Sequence, residues 1–222
     1  MKSVVLLSAG LDSTVNLYQA HKKGKVLLAL TFDYGQKAAP KEIQSARKLT
    51  QELGISHEVV KLPFFKTFQG SSLISREKKI PLKSQVQIHN LERSRKTAKS
   101  VWVPNRNGIF LNIAAGFAES LKAETVVPGF NLEEASTFPD NTQGFLDQLT
   151  KSFSFSTSNH IKAHCFTTGL QKSEIVKLGI QLKVNWKHVW PCYQSLRSWC
   201  GECESCQRAR RAFLSQGLEL FK

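Results

Sequence analysis

Val4-Val5-Leu6-Leu7 is an apolar run of strand length, followed by a Ser/Gly turn and then by Val15, Leu17, Tyr18 and His21 at near-helical spacing. That pattern predicts strand, loop, helix. Val26 to Leu30 predicts a second buried strand. Ile43, Ala46, Leu49, Thr50 and Leu53 then recur at helical spacing up to Gly54, which suits the residue just past a helix end. Val59-Val60 begins a third strand, Ile109 to Leu121 reads as a helix apolar on most faces, and Glu124 to Phe130 as another strand. Ile161 to Phe166 predicts a fifth strand and Ser173 to Leu178 a short helix. Strands alternating with helices imply right-handed βαβ units, and hence an α/β fold with a doubly wound parallel sheet. Residues 66–100 and 131–160 show no such pattern and are too long for ordinary connections, so both are expected to be mobile loops or lids over the ligand crevice.

The composition, 41% hydrophobic and 22% charged over 222 residues, excludes a disordered or fibrous chain. No apolar run approaches the ~20 residues needed to cross a bilayer. MKSVVLLSAGLDS carries no signal-peptide cleavage site, so a cytoplasmic protein without a membrane partner is expected. The net charge of +14, from 31 Lys and Arg against 17 Asp and Glu, favours anionic partners such as nucleotides. Residues 66–100 hold nine Lys or Arg against only Glu77 and Glu92, and a basic stretch of this kind reads first as solvated surface.

Ser8-Ala9-Gly10-Leu11-Asp12-Ser13-Thr14 falls between the first strand and the first helix, where a phosphate-binding loop must sit. Small residues let backbone N–H groups approach an oxyanion, Ser13 and Thr14 add hydroxyls, and the helix contributes its positive end. The stretch is neither a Walker loop nor a dinucleotide fingerprint. It resembles the S-G-G-x-D-S signature of the PP-loop ATP pyrophosphatase superfamily, with Ala9 in place of a glycine. The resemblance implies an adenine-nucleotide hydrolase-like fold that uses ATP and Mg²⁺. It also implies nucleotide contacts along Leu7, Ser8, Ala9, Gly10, Leu11, Asp12, Ser13, Thr14, Val15, Asn16 and Leu17, with Asp12 and Ser13 taking part in catalysis. If position 9 needs a positive φ, alanine there costs some affinity.

Further segments resemble one family of that superfamily, the 7-cyano-7-deazaguanine synthases of queuosine biosynthesis, known as the QueC family. They are Thr31-Phe32-Asp33-Tyr34-Gly35-Gln36, Val103-Pro104-Asn105-Arg106-Asn107 with Phe110-Leu111, Phe138-Pro139-Asp140, and a C-terminal cysteine cluster preceded by Cys192-Tyr193. The family resemblance implies that 7-carboxy-7-deazaguanine, ATP and ammonia are converted to 7-cyano-7-deazaguanine through an adenylylated carboxylate, and that the enzyme is a homodimer. It places Tyr34, Gln36, Glu134, Phe138 and Asp140 at the substrate and makes Arg106 and Lys172 catalytic cations, suited to a phosphate or carboxylate. Around Glu134 the chain departs from the family's D-F-S-G-Y-P-D-C-R, most visibly where Thr142 replaces an arginine, and a shifted specificity is expected. Two other readings stand beside this one. One has the same chemistry serving a protein or nucleic-acid acceptor, and the other has the chain as a basic zinc-ribbon module that binds RNA; direct nucleic-acid binding is the less favoured.

Cys192, Cys200, Cys203 and Cys206 form C-x7-C-x2-C-x2-C, a spacing that suits a closed tetrahedral Zn²⁺ site or, as its rival, an iron–sulfur cluster. Zinc in a closed site is structural. Arg197, Arg208, Arg210 and Arg211 are expected to offset the charge of four thiolates, and Cys165 is expected to be a packing residue. The chain therefore divides at sequence level into an ATP-binding domain over 1–182 and a zinc-binding segment over 183–222.

Overall fold

The computed structural model describes residues 1–88 and 90–220; His89, within the long basic segment, lies outside the described residues. Strand β1 (Lys2–Leu6) leads into helix α1 (Leu11–Lys23), β2 (Lys25–Asp33), α2 (Ala39–Leu53) and β3 (His57–Lys61). After an irregular stretch come α3 (Leu91–Val101), α4 (Arg106–Ser120), β4 (Thr125–Val127), the single turn α5 (Leu132–Ala135) and α6 (Gln143–Ser156). Strand β5 (Lys162–Ala163), α7 (Lys172–Gln181) and α8 (Glu204–Leu214) complete the chain.

The five strands pair in parallel in the order β3-β2-β1-β4-β5. The chain winds outward from β1 through β2 to β3, then returns to place β4 on the other side of β1. The carboxyl end of β1 thus lies at the switch point, where an open α/β sheet binds its ligand. Adjacent residues of β1 face opposite layers. Val4 packs with Leu30, Leu111, Leu146 and Phe153 on the side of α4 and α6, whereas Val5 packs with Leu17, Leu49, Ile175 and Phe213 on the side of α1, α2, α7 and α8. Gly54 closes α2 in the left-handed conformation (φ 64°), its N–H reaching the carbonyls of Thr50 and Gln51, as its position in the sequence indicated.

Several expectations need correction. Residues 131–160 are no loop, because Leu146, Leu149 and Phe153 form the buried stripe of α6, whose amino end the Thr142 hydroxyl caps by accepting from the Phe145 N–H at 3.2 Å. The intervening Ser, Thr and Phe residues mask that stripe. The segment 66–100 includes α3 and is seated on the protein: Leu82 bridges to Cys203, Lys83 N–H donates to Glu202 O at 3.2 Å, and Ser72 N–H donates to Ser100 O at 2.7 Å. The fourth and fifth strands shrink to Thr125–Val127 and Lys162–Ala163, since backbone pairing persists only where a neighbouring strand runs alongside. Helix α8 was not anticipated, because its buried face is Cys206, Ala209, Ala212 and Phe213 interleaved with charged residues. No helix of the described residues is long and apolar enough to cross a membrane.

One glycine fixes the approach of β4 to the β1–α1 loop. A Cβ on Gly129 would lie 2.4 Å from the Ser13 backbone nitrogen and 2.5 Å from its Cα. Gly129→Ala is expected to cost about 1–3 kcal/mol, as overpacking against a rigid element does. It should also weaken nucleotide binding, because the loop itself must shift. Urea denaturation beside a nucleotide titration checks both; an unchanged midpoint would mean that the loop yields freely.

Candidate functional site

The loop after β1 curls because Ala9 takes a left-handed conformation (φ 58°) while fully buried, a strain of about 1 kcal/mol that glycine would not carry. Its carbonyl accepts from the Trp190 N–H at 2.7 Å, which ties the loop to the chain entering the cysteine cluster. Gly10 stands in extended conformation at the amino end of α1 without a side-chain cap. The Ser8 and Ser13 hydroxyls meet at 3.0 Å, and the Thr14 hydroxyl, buried, has no partner among the described residues. Small residues, the hydroxyls of Ser8, Ser13 and Thr14 and an uncapped helix start make this a cradle for phosphate oxygens.

Behind the cradle lies a buried charge cluster. Lys172, at the start of α7, donates from Nζ to Asp12 Oδ2 at 2.8 Å and to Glu134 Oε1 at 2.9 Å. Asn131 donates to the same Asp12 oxygen at 3.1 Å while capping α5 through the Glu134 N–H. Burial pushes the Asp12 carboxyl up, with Lys172 pulling the other way. Burial also opposes ionisation of Glu134, yet Lys172 beside it holds that carboxyl well below its usual range. Burial disfavours the ammonium of Lys172, but the two carboxylates outweigh it and hold the proton on. Asp12 Oδ1 is buried without a partner among the described residues, a hard oxygen of the kind that Mg²⁺ takes.

A second layer ties this cluster to α8. Glu133 accepts from the backbone N–H of Lys172 at 3.1 Å and pairs with Arg208 at 3.0 Å and with Arg211. Arg208 also binds Glu204, whose other oxygen accepts from Thr97 of α3 at 2.8 Å. Arg208 and Arg211 are therefore committed to carboxylates rather than left to offset thiolate charge.

In front of the cradle a cavity of about 230 Å³ is lined by Asp12, Ser13, Tyr34, Gln36, Arg106, Phe138, Asp140 and Lys172 among others. The residues singled out in sequence thus meet in one place, although not all are free to bind. Gln36 donates both amide hydrogens internally, to Phe32 O at 2.9 Å and Glu42 Oε2 at 2.7 Å, and accepts from the Tyr34 N–H at 3.0 Å, so it shapes the wall. Tyr34 packs edge-on against Phe65 and Phe110 and meets Arg106 at 3.5 Å. Thr142 spends its hydroxyl on the α6 cap. Of the rest of the nucleotide stretch, Leu7, Val15 and Leu17 are core residues. The Asn16 amide joins Thr167 at 2.6 Å and the Phe166 N–H at 2.9 Å, holding the chain that follows β5. Residues missed in sequence include Trp102, whose ring lies parallel to Phe138 at 6.1 Å, along with Asn107, Asn131, Glu133 and Glu42. Only the Arg-Asn pair at 106–107 and the Glu-Glu pair at 133–134 offered a signal.

At the far end of the chain the four thiols of Cys192, Cys200, Cys203 and Cys206 lie within 4.8 Å of one another, with Cys200 and Cys206 Sγ 3.9 Å apart. A tetrahedron with ~2.3 Å metal–sulfur bonds has edges of ~3.8 Å, so the group fits a four-thiolate metal site. Backbone N–H groups of Gln194 and Cys200 donate to Cys192 Sγ at 3.4 Å, and that of Cys203 to Cys200 Sγ at 3.3 Å, as thiolate ligands require. Cys165 stays apart, buried against Phe130 with its thiol pushed up by burial.

A parallel α/β sheet carrying a small-residue phosphate cradle at its switch point, backed by a buried carboxylate, defines a nucleotide-using protein of the PP-loop class. The model of the family described as "Queuosine biosynthesis protein QueC" matches residues 2–217, and the chain belongs to that family. The 7-cyano-7-deazaguanine synthase of Bdellovibrio bacteriovorus is 57% identical over 220 residues, covering 99% of this chain and 95% of that protein. The protein of the same name from Desulforamulus reducens is 49% identical over 220 residues, covering 99% and 96%. Among solved structures, one described as a 4-thiouridine synthetase–RNA complex with bound ATP superposes with a TM-score of 0.50 at 16% identity, over 97% of this chain and 52% of that one; it shows the fold alone. The expectation of an enzyme in queuosine precursor biosynthesis is met.

Glu42, on the cavity wall, gives the site a pH dependence of its own. Burial pushes its carboxyl from about 4.5 up to about 7, against the pull of Gln36 and Arg106. Between those values the folded protein keeps a proton that the unfolded chain has lost, so stability falls as pH rises through that window. Glu42→Gln should flatten this part of the profile and stabilise the protein above about pH 7, measured as urea midpoints across the range. A profile as steep as that of the wild type would assign the dependence to other groups.

Proposed function

We propose that this enzyme converts 7-carboxy-7-deazaguanine, ammonia and ATP into 7-cyano-7-deazaguanine by adenylylating the carboxylate. The observation that carries the reading is the joining of two features in one cavity: a phosphate cradle backed by Asp12 and Lys172, and a flat aromatic wall of Trp102 and Phe138 beside Arg106 and Asp140. The relatives above bear the matching name.

In this reading the hydroxyls of Ser8 and Ser13 and the first N–H groups of α1 hold the pyrophosphate portion of ATP. The substrate carboxylate attacks the α-phosphorus, the bond to the pyrophosphate breaks, and pyrophosphate leaves into the cradle. Ammonia attacks the acyl carbon, AMP departs and a proton is lost to solvent, leaving the amide. The amide oxygen is adenylylated in turn by a second ATP, and loss of AMP and of the remaining amide protons leaves the nitrile. Asp12 would hold Mg²⁺ through its free Oδ1, and the ion when bound neutralises developing charge on the phosphates. Lys172, kept protonated between two carboxylates, orients Asp12. Asp140 accepts from the guanine-like N–H pair of the base while Phe138 and Trp102 cover its face. The four cysteines would hold a structural Zn²⁺, whose role is to tie down the C-terminal segment rather than to take part in chemistry.

Asp12→Asn should lower turnover at least 100-fold while keeping the fold, the scale on which preorganised charge acts in such sites. With the wild type, mass spectrometry and phosphate assays should find AMP and pyrophosphate; release of ADP and phosphate instead would rule out adenylylation. Elemental analysis is expected to find about one zinc per chain, and Cys203→Ser to lose the metal and several degrees of thermal stability. Visible absorption from iron, or full metal retention by Cys203→Ser, would overturn the zinc assignment.

A further inference from the structure

The amino end of α4 carries an unused set of hydrogen-bond donors. Arg106 donates from Nε to Asn107 Oδ1 at 3.2 Å, which fixes the orientation of that amide, because a guanidinium can only donate. The other branch, Asn107 Nδ2, is then the donor end. It is buried on a residue 7% exposed that lines the cavity, and it has no partner among the described residues. A buried amide left unpaired costs roughly as much as a lost hydrogen bond, so its retention points to a partner that arrives from outside.

Three further features give the sign of that partner. The guanidinium of Arg106 hydrogen-bonds to Asn107 and, at 3.5 Å, to the Tyr34 hydroxyl; Asp140 and Glu42 attract it from the same cavity, but among the described residues no carboxylate makes a close ion pair with it. Asn105 enters the 15-residue helix α4 without giving it a side-chain cap, so the positive end of the helix faces the same place. Much of the cavity wall here is aromatic, formed by Tyr34, Phe110 and Phe138, though the carboxylates of Glu42 and Asp140 also line it. A cation, a free amide donor and a helix start side by side match an oxygen anion.

We propose that Asn107 and Arg106 form an oxyanion-binding subsite, in which the Asn107 amide is a specificity-determining donor that tells an anionic ligand from its neutral counterpart. The proposal rests on the function proposed above for the choice of ligands, which are the carboxylate of the substrate acid and the phosphates of ATP. The two sources share one chemistry and separate by experiment.

The test exploits the near-identical shapes of asparagine and aspartate. Asn107→Asp keeps an oxygen for Arg106 Nε but puts an anionic acceptor where the donor stood, so the fold is retained while the subsite changes sign. Binding is measured by calorimetry for two ligand pairs, 7-carboxy-7-deazaguanine against its neutral 7-carboxamide, and ATP against adenosine. If the substrate carboxylate sits here, Asn107→Asp weakens the acid by roughly 10- to 150-fold, the range expected for a charged hydrogen bond, and leaves the carboxamide, ATP and adenosine within about two-fold. If a phosphate sits here, the loss falls on ATP alone. Asn107→Ser, which removes the amide and adds no charge, should give a smaller loss of the same selectivity and guards against misfolding of the aspartate variant. Equal effects on both members of each pair, or none, in both variants would overturn the proposal. A wild type that binds neither the acid nor the carboxamide would instead sink the proposed function, and the subsite would then stand or fall on the ATP pair.

Discussion

The buried contact between Lys172 and two carboxylates, Asp12 and Glu134, is the constraint on which the rest of the site depends. Three ionised groups out of water are tolerable only when each is paired, and removing one partner strands the others. Each comes from a different element: Asp12 from the start of α1, Glu134 from α5 and Lys172 from the start of α7. Pairing them draws three helix starts together behind the phosphate cradle. One Asp12 oxygen is left without a partner among the described residues, and a cation beside it would favour the carboxylate form that burial disfavours.

A second ring of charge extends this order to the C-terminal segment. Glu133, adjacent in sequence to Glu134, turns the other way to Arg208 and Arg211, and Arg208 passes on to Glu204 beside Cys203 of the cysteine cluster. Trp190, two residues before Cys192, holds the carbonyl of Ala9 in the cradle itself. The cysteine cluster thus sits at one end of a connected frame whose other end is the nucleotide loop. The frame explains why a strained alanine persists at position 9: the conformation is set by its neighbours on both sides.

Within the cavity the division of labour follows from which polar atoms are already spent. Gln36 has exhausted its donors on the backbone and on Glu42, and it stiffens the end of β2. Asn107 has spent its acceptor on Arg106 and keeps its donors. Aromatic rings supply a flat apolar wall that strengthens whatever polar contacts are made against it.

Periodicity in the sequence was enough to place α1, α2, α4 and the first three strands, since each buries a continuous stripe along its own length. The small residues between β1 and α1, the spacing of four cysteines and Gly54 at a helix end were legible for the same reason, being local demands of backbone and ligand geometry. Helix α6 escaped because its buried Leu146, Leu149 and Phe153 lie among Ser, Thr and further Phe residues, and α8 because its buried face includes Cys and Ala, whose burial is decided by what lies opposite. The role of Lys172 was beyond any local reading. It depends on an aspartate 160 residues earlier and a glutamate on a third element, and only the folding of the sheet brings them within 3 Å. The same holds for Asn107, whose free donor is defined by partners that the tertiary structure withholds. A sequence displays the requirements of each segment, but the pairing of charges and the leaving of one group unpaired are properties of space.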